Sequence, residues 1–355
     1  MLISQLFDTF GRGHDYLRIS LTDACNLRCV YCIPNEKMLV TPSAKLMQVD
    51  EIEKIASVFV ELGVKKIRLT GGEPLLRKDA KEVIHQLSKL PVELAVSTNA
   101  VLANEYIDTF KKADIRSINV SLDTLNPAEF FAITKRGDFD KIMSNIYLLL
   151  SHNFKVKVNI VVMKGINEHV IFDFINWTKD FPLDVRFIEF MPFAGNAWMP
   201  EKVFSFNEML DKISTKYEIL KLEDSPNDTA KKYKIREHPG TFAFITTITA
   251  PFCGSCNRLR LTADGRMKNC LFSQDETDLL TAMRAGEDIK PLILSCLLSK
   301  KSERGGRFDA DNKVIKTKTT GIQSTDKLKG DTASATSTSV NKGPDEDRSM
   351  IRIGG

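Results

Sequence analysis

Residues 22–34 read Thr-Asp-Ala-Cys-Asn-Leu-Arg-Cys-Val-Tyr-Cys-Ile-Pro and place Cys25, Cys29 and Cys32 at the spacing C-x3-C-x2-C. A structural zinc site needs four protein ligands, whereas a four-iron cluster held by three thiolates keeps one iron open for a small molecule. Because no fourth ligand lies nearby, the motif predicts a reactive iron–sulfur site. A zinc knuckle that borrows a distant cysteine or histidine is the alternative.

Length and composition indicate one large α/β domain, alone or with an appendage, because the chain has 355 residues of which 43% are hydrophobic. No apolar run approaches the ~20 residues that a membrane helix needs. Residues 1–18 lack the pattern of a signal or transit peptide. We therefore expect a cytoplasmic protein with no membrane partner.

Charge and cysteine usage argue against a nucleic-acid-binding protein and against a disulfide-stabilised protein. The net charge of +4, from 50 basic and 46 acidic residues, provides no broad basic surface for nucleic acid. The seven cysteines form two tight groups plus Cys296, which is not typical of a disulfide framework. In a reducing compartment such grouped thiols more often bind metal.

The first 200 residues alternate β-branched apolar runs with helix-period stretches, which predicts a parallel sheet wound right-handedly. Six such units predict an α/β fold, a partial (β/α)6 TIM-like barrel over 1–200, with its functional loops at the carboxyl ends of the strands. The predicted strands are 16–21, 66–70, 93–97, 117–122, 155–162 and 184–190. The predicted helices are 51–62, 78–89, 103–112, 138–151 and 168–180.

The pattern changes after residue 200, where we expect an α+β appendage that caps the barrel over 201–300. Its predicted elements are a helix at 206–218, β-like runs at 232–236 and 241–249, and a hairpin of 258–262 with 266–271. Residues 301–348 contain too little apolar surface to fold and are expected to be a disordered spacer. Residues 349–355 form an apolar tail that ends in Gly354 and Gly355.

The second predicted strand runs directly into Gly71-Gly72-Glu73-Pro74. Two glycines permit a close backbone approach, and the glutamate offers an acceptor at the strand end. Taken alone, the four residues are equally compatible with a tight turn.

A second cysteine group has the spacing C-x2-C-x13-C and consists of Cys253, Cys256 and Cys270. It again supplies three ligands, so one interpretation is a second open cluster that meets the substrate. The alternative is a zinc ribbon that takes its fourth ligand from Cys296 or His238.

Several cations occupy predicted strands. Arg258 and Arg260 point to one face of their strand and form a fork suited to phosphate oxygens. Arg18, Arg68 and Lys157 each stand among apolar neighbours, where a charge is costly unless it is paired or faces a ligand. A solvated basic strand is the alternative for the first pair, but the set together indicates a polyanion such as a nucleoside triphosphate.

These motifs, with Phe187-Ile188-Glu189-Phe190-Met191, resemble the radical S-adenosylmethionine (SAM) superfamily and, within it, the GTP 3',8-cyclases of molybdenum cofactor biosynthesis. The resemblance covers about 1–275 and the last six residues. It implies two 4Fe-4S clusters, SAM, and conversion of GTP to (8S)-3',8-cyclo-7,8-dihydroguanosine 5'-triphosphate. A deoxyadenosyl radical would take hydrogen from C3' and ring closure would follow at C8, a lyase reaction with no assigned acid or base.

The resemblance also implies roles for individual residues. The six cysteines of the two groups would hold the clusters. The residues that bind SAM would be Tyr31, Gly72, Glu73, Ser121 and Met191. The residues that bind GTP would be Arg18, Arg68, Ser97, Lys157, Arg258 and Arg260. Gly354 and Gly355 would reach into the active site, an insertion that the flexible spacer impairs without abolishing.

Two departures from the family pattern are mild: Ala100 stands where glycine is usual, and Ser97 where threonine is common. The expected partners are GTP, an unidentified one-electron donor and a downstream MoaC-type cyclic pyranopterin synthase. The sequence does not determine the oligomeric state, and a homodimer is among the states it allows. Two rival hypotheses are a peptide-modifying radical SAM enzyme with auxiliary clusters and a zinc-binding interaction protein without enzymatic activity.

Overall fold

The structure is a computed structural model that describes residues 6–32, 40–193, 196–309, 313–315 and 350–353. Most of the expected spacer at 301–348 lies outside the described residues, as do Gly354 and Gly355. No helix in the described ranges has both the length and the apolar character needed to cross a bilayer.

Six parallel strands, paired in chain order, form the centre of the sheet. They are β1 Tyr16–Ser20, β2 Lys66–Thr70, β3 Glu93–Thr98, β4 Ser117–Ser121, β5 Lys155–Val162 and β6 Asp184–Glu189. The helices that accompany them are α1 Val49–Glu61, α2 Ala80–Leu87, α3 Ile107–Lys112, α4 Pro127–Thr134, α5 Phe139–Ser151 and α6 Ile171–Asp180. The six strands and five of the six helices confirm the sequence-based predictions within a few residues. The exception is α4, which the apolar pattern did not reveal.

The residues after 200 extend the same sheet at both edges. Their elements are α7 Phe206–Ser214, β7 Ile219–Lys221, β8 Ala230–Ile235, β9 Thr241–Ile245, β10 Arg258–Leu261, β11 Arg266–Lys268, β12 Thr277–Asp278, α8 Leu279–Arg284 and α9 Lys290–Leu298. Strand β10 pairs in parallel with β1, and β9 pairs in parallel with β6. The sheet therefore has twelve strands in the order β12-β11-β10-β1-β2-β3-β4-β5-β6-β9-β8-β7. Helices α8 and α9 were not predicted, and α7 ends four residues before its predicted boundary.

Alternation along the parallel strands separates an apolar face from a polar one. Leu17, Ile19, Ile67 and Leu69 are buried in the hydrophobic core. The residues between them, such as Arg18 and Arg68, project from the opposite face, because successive side chains of a strand point to opposite sides. Apolar packing holds the sheet on one face and leaves the other face for polar groups.

The pairing of β1 with β2 continues past both strands into the first cysteine loop. Leu21 N donates to Thr70 O at 2.9 Å, Gly72 N to Thr22 O at 2.7 Å, and Glu73 N to Ala24 O at 2.8 Å. A Cβ at Gly71 or Gly72 would overlap the carbonyl oxygen of Thr22 or of Ala24. The two glycines thus allow the backbone of the cysteine loop to lie directly against the end of β2.

The departure at Ala100 has a structural cost. This residue has φ 64°, in the left-handed region that glycine adopts without strain. The side chain of Asn145 holds the turn, donating from Nδ2 to Ala100 O at 2.7 Å and to Val101 O at 3.1 Å. These buried hydrogen bonds offset part of the strain of the left-handed residue.

Replacing Gly72 by alanine should destabilise the protein, because the new Cβ would overlap the Ala24 carbonyl. Overpacking of this kind lowers the free energy of unfolding by about 1–3 kcal/mol. Gly137→Ala is the matched control, since nothing lies within 4 Å of its Cβ position, and it should not lower the stability. Urea denaturation of both variants measures the difference, and equal stabilities would contradict this packing argument.

Candidate active site

The polar face of the sheet lines a cavity of about 480 Å³. The cavity gathers all six cysteines of the two groups and every predicted GTP-binding and SAM-binding residue except Glu73. Those predicted residues are Arg18, Arg68, Ser97, Lys157, Arg258, Arg260, Tyr31, Gly72, Ser121 and Met191. Positions as far apart in the sequence as Arg18 and Cys270 therefore share one cavity.

The two cysteine groups lie at opposite ends of the parallel strands. Cys25 follows the carboxyl end of β1, whereas Cys256 precedes the amino end of β10, which runs parallel to β1. Cys270 follows β11, which is antiparallel to β10 and so returns to the same end as Cys256. A five-residue strand spans about 16 Å, so the cavity between the two groups runs the length of the strands.

Cations occupy adjacent rows of the sheet between the two cysteine groups. Arg260, Arg18 and Arg68 are register partners across β10, β1 and β2. One side-chain step towards the amino end, Arg258 and Lys66 flank Tyr16 in the same way. Burial and the neighbouring arginines lower the pKa of Arg18 to about 10 and that of Arg260 to about 9. This wall of the cavity is therefore strongly positive at neutral pH and suits a polyanion.

Arg68 is fixed by two hydrogen bonds. Its Nε donates to the Tyr16 hydroxyl at 2.5 Å, and its Nη1 donates to Val96 O at 3.0 Å. Burial would raise the pKa of Tyr16, but the charges of Arg68 and Arg18 lower it to about 8. On β5, burial and the charge of Arg186 lower the pKa of Lys157 to about 8.

The first cysteine group fits a bound positive centre. Burial and the nearby Glu73 raise the pKa of Cys25 to about 11, and burial also raises the pKa values of Cys29 and Cys32. Three thiolates are unfavourable here without a cationic centre, and coordinated metal supplies that charge. Asn99 Nδ2 lies 3.9 Å from Cys25 Sγ, where it can donate a weak hydrogen bond to the sulfur. The three cysteine sulfurs therefore suit an iron–sulfur cluster.

Glu73 lies behind the cavity wall and is fully buried. Its carboxylate accepts hydrogen bonds from Thr98 Oγ1 at 2.7 Å, Asn99 N at 2.6 Å and Leu75 N at 3.0 Å. Burial raises the pKa of Glu73 to about 7 despite these donors. The carboxylate therefore ties the loop after β3 to the loop after β2, and its contact with SAM stays a prediction.

The second cysteine group lies in a more positive environment. Burial would raise the pKa of Cys256, but the charges of Arg258 and Lys300 lower it to about 6. Arg304 N donates to Cys253 Sγ at 3.4 Å. The charges of Arg258 and Lys300 therefore favour the thiolate form of Cys256, whereas burial raises the pKa of Cys253. A thiolate beside these cations fits a metal cluster.

The two residues suggested as a fourth zinc ligand are engaged elsewhere. The Cys296 thiol lies 3.9 Å from Met267 O, and His238 Nδ1 forms a 2.8 Å hydrogen bond with Thr178 Oγ1. Within the described ranges, no three or more Cys, His, Asp or Glu side chains are arranged around a single metal ion. A four-iron cube binds its thiolates through different irons, so it does not require the sulfurs to share one ion.

Sequence reasoning missed several residues of the cavity. Asp123 accepts a 2.6 Å hydrogen bond from the Tyr31 hydroxyl and one of 2.9 Å from Val161 N, and burial raises its pKa to about 6. Tyr16, Lys66 and Arg186 also line the cavity. Tyr16 is the register partner of Arg258, but a pairing register cannot be read from one strand alone. Lys66 and Arg186 have no predicted cation as a register partner, so the sequence offered no such signal for them.

The C-terminal segment reaches the first cysteine group. Met350 lines the cavity, and its Sδ lies 3.8 Å from Cys32 Sγ. Arg352 Nε lies 3.8 Å from the buried Asp23 carboxylate. The predicted insertion of Gly354 and Gly355 concerns residues outside those described, but the segment that precedes them is at the cavity.

The chain is similar to known proteins over most of its length. A sequence profile described as Radical SAM superfamily matches residues 19–178, and one described as Molybdenum Cofactor Synthesis C matches residues 183–305. The chain is 44% identical to the mitochondrial GTP 3',8-cyclase of Arabidopsis thaliana, covering 86% of this chain and 80% of that protein. It is 41% identical to the GTP 3',8-cyclase of Peptoclostridium acidaminophilum, covering 84% of this chain and 93% of that protein.

Other relatives are longer. Molybdenum cofactor biosynthesis protein 1 of Bos taurus is 45% identical, and the match covers 86% of this chain but 49% of that protein. This chain thus spans about half the length of the animal relative. Among solved structures, Streptococcus suis SuiB bound to S-adenosylmethionine has a TM-score of 0.56 at 16% identity, covering 81% of this chain and 68% of that chain. This similarity concerns the fold.

The profile match over residues 19–178, together with the 44% identity to a GTP 3',8-cyclase, defines a radical SAM protein. Within that class, the chain belongs to the GTP 3',8-cyclase family of molybdenum cofactor biosynthesis, to whose bacterial and plant members it is similar over most of their length.

The pairing of Tyr16 with Arg68 is directly testable. Replacing Arg68 by methionine should raise the pKa of Tyr16 above its value of about 8, because a neighbouring cation no longer stabilises the tyrosinate. A pH titration of ring-labelled tyrosine by carbon-13 NMR measures the shift, with Tyr16→Phe identifying the signal. An unchanged titration would show that Arg68 does not control this hydroxyl.

Proposed function

We propose that this chain is a GTP 3',8-cyclase that converts GTP into (8S)-3',8-cyclo-7,8-dihydroguanosine 5'-triphosphate, the first step of molybdopterin biosynthesis. The observation that carries the proposal is the cavity itself, with a cysteine group at each end of the strands and rows of cations between them. Family membership supports the same activity.

In this proposal Cys25, Cys29 and Cys32 would hold one 4Fe-4S cluster, beside which SAM would bind. When bound and reduced, the cluster would supply the electron for cleavage of SAM, the chemistry that removes hydrogen from C3' of GTP. Tyr31, Gly72, Glu73, Ser121 and Met191 orient SAM. The hydrogen bond from Tyr31 to Asp123 fixes the ring of Tyr31 beside the cysteine loop, and the glycines keep that loop against β2.

The cations orient GTP. Arg18, Arg68, Arg258, Arg260 and Lys157, together with Ser97, are proposed to clamp the triphosphate and to hold C3' near SAM. Fixing a reactant in this way lowers the barrier by removing orientational freedom before the reaction begins. Cys253, Cys256 and Cys270 would hold a second 4Fe-4S cluster at the other end of the strands, which would anchor the guanine.

The finer organisation is also a proposal. The six central strands would curve into a partial barrel over 1–200, with a segment carrying the second cluster at 201–300, a spacer at 301–348 and a tail at 349–355. The reaction would take place in the cytoplasm, with electrons from a one-electron donor. Its product would pass to a MoaC-type cyclic pyranopterin synthase, and a homodimer stays a prediction.

The decisive assay is anaerobic incubation with SAM, a reductant and GTP, followed by chromatography of the nucleotides. We expect 5'-deoxyadenosine and the 3',8-cyclised nucleotide in equal amounts. A parallel incubation with a peptide in place of GTP tests the rival peptide-modifying activity. Deoxyadenosine without a cyclised nucleotide would exclude the proposed substrate.

Iron and sulfide content separates one cluster from two. The wild-type protein, purified without oxygen, should contain about eight irons per chain, and Cys25→Ala or Cys256→Ala should each contain about four. Cys296→Ala is the matched control, because its thiol lies outside the cavity lining, and it should keep about eight. Zinc without sulfide in the wild-type protein would exclude both clusters.

The dependence on Lys157 should appear in a pH profile. The lowered pKa of about 8 means that the ammonium is charged below that pH and becomes neutral as the pH rises through it. GTP binds the charged form better, so the KM for GTP should rise above about pH 8.

Lys157→Met should raise that KM about ten- to a hundredfold at pH 7, since a charged hydrogen bond contributes about 1.5–3 kcal/mol. It should also remove the rise above pH 8, whereas Lys157→Arg should keep a low, flat KM. Lys155→Met on the same strand is the control, because Lys155 is exposed. A KM that is unaffected by Lys157→Met would contradict the role in binding GTP.

A further inference from the structure

The segment that follows α9 encloses the second cysteine group and contributes a buried cation to it. Lys300 is 4% exposed. Its Nζ donates to Asn269 O at 2.6 Å and to Arg258 O at 3.3 Å, and it lies 3.6 Å from Cys256 Sγ. These three acceptors are two backbone carbonyls and a sulfur, so none of them is a carboxylate.

A buried ammonium needs a compensating negative charge, because desolvation of a charged group is costly. Cys256 as a thiolate supplies that charge in direct contact with Lys300. The two carbonyls aim the ammonium at the sulfur, since Asn269 directly precedes Cys270 and Arg258 lies two residues after Cys256. The lysine therefore contacts the chain beside two of the three cysteines.

The surrounding contacts keep this segment in place. Arg12 Nη1 donates to Cys253 O at 2.9 Å and to Ser302 O at 2.7 Å, and thereby joins the second cysteine group to the segment that carries Lys300. Arg304 N donates to Cys253 Sγ at 3.4 Å. The position of Lys300 is thus part of a hydrogen-bonded network around the cysteines.

The first cysteine group has the opposite electrostatic surroundings. Two buried carboxyls lie around it: Asp123 accepts from the hydroxyl of Tyr31, which directly precedes Cys32, and Glu73 accepts from the backbone N–H of Asn99. The side chain beside Cys25 Sγ is the neutral amide of Asn99. The two cysteine groups therefore lie in different electrostatic environments: buried carboxyls surround the first group, and a buried ammonium contacts the second.

We propose that Lys300 is a positioning residue for the second cluster, and that its buried ammonium holds the Cys256 thiolate and raises the reduction potential of that cluster above that of the first. This inference rests on the proposed function, in which each cysteine group holds a 4Fe-4S cluster. One-electron reduction adds a negative charge to a cluster, and a nearby cation that donates to a ligand sulfur stabilises the reduced form. The carboxyls near the first cluster act in the opposite direction.

The test is a potentiometric titration of the two-cluster protein, monitored by electron paramagnetic resonance. Cys256→Ala and Cys25→Ala variants provide reference spectra for the first and the second cluster. Lys300→Met removes the charge and the donor, and Lys300→Gln keeps a donor without the charge. Lys301→Met is the matched control, because it removes the same charge from an exposed neighbour.

We expect Lys300→Met to lower the ratio of reduced to oxidised second cluster about tenfold at a fixed potential, equivalent to about 59 mV for one electron. The first cluster should be unchanged in Lys300→Met, and both clusters should be unchanged in Lys301→Met. Lys300→Gln should show an intermediate shift. Loss of the second cluster alone from Lys300→Met would also support the proposal, because it would show that the lysine holds the cysteine ligand.

A second cluster that keeps its wild-type potential in Lys300→Met would overturn the proposal. If Lys300→Met loses both clusters, Lys300→Gln decides: a lowered potential supports the role of the charge, and an unchanged one overturns it. A wild-type protein with about four irons would instead contradict the proposed function, and the two failures are thereby distinguished.

Discussion

Three like charges lie side by side in one row of the sheet and form a wall of the cavity: Arg260, Arg18 and Arg68. Desolvation and mutual repulsion both act against such a row, as the lowered pKa values of Arg18 and Arg260 record. The apolar opposite face, which packs in the core, provides the free energy that keeps these strands paired. The protein therefore retains a costly arrangement that a bound anionic ligand would relieve.

Backbone hydrogen bonds position the first cysteine loop. The hydrogen bonds between β1 and β2 continue beyond both strands, and Gly71 and Gly72 let the loop approach without a side chain in between. The glycines therefore serve the packing of the loop as much as access to a ligand. Glu73 has a similar structural role, since its carboxylate joins two loops from behind the cavity wall. A binding motif and a folding motif coincide in these residues.

The charged side chains near the two cysteine groups differ in sign, so the two ends of the cavity are electrostatically different. Asp123 and Glu73 lie near one group, and Lys300 and Arg258 lie near the other. With a substrate between them, the two ends would not be equivalent in their tendency to accept an electron. The difference arises from side chains beside the cysteines and not from the cysteines themselves, which have the same chemistry at both ends.

The sequence alone determined the six parallel strands, the cysteine groups and the inward cations, because alternation and ligand spacing are local properties of the chain. It also predicted most helix boundaries, but α4, α8 and α9 were not predicted, and α4 and α9 are apolar on nearly every side, so they show no helical period. Only the tertiary structure decided that β10 pairs with β1 and β9 with β6. The pairing of β10 with β1 places the second cysteine group at the opposite end of the strands and aligns Arg260 with Arg18. It depends on contacts between residues some 240 positions apart, which no local pattern encodes.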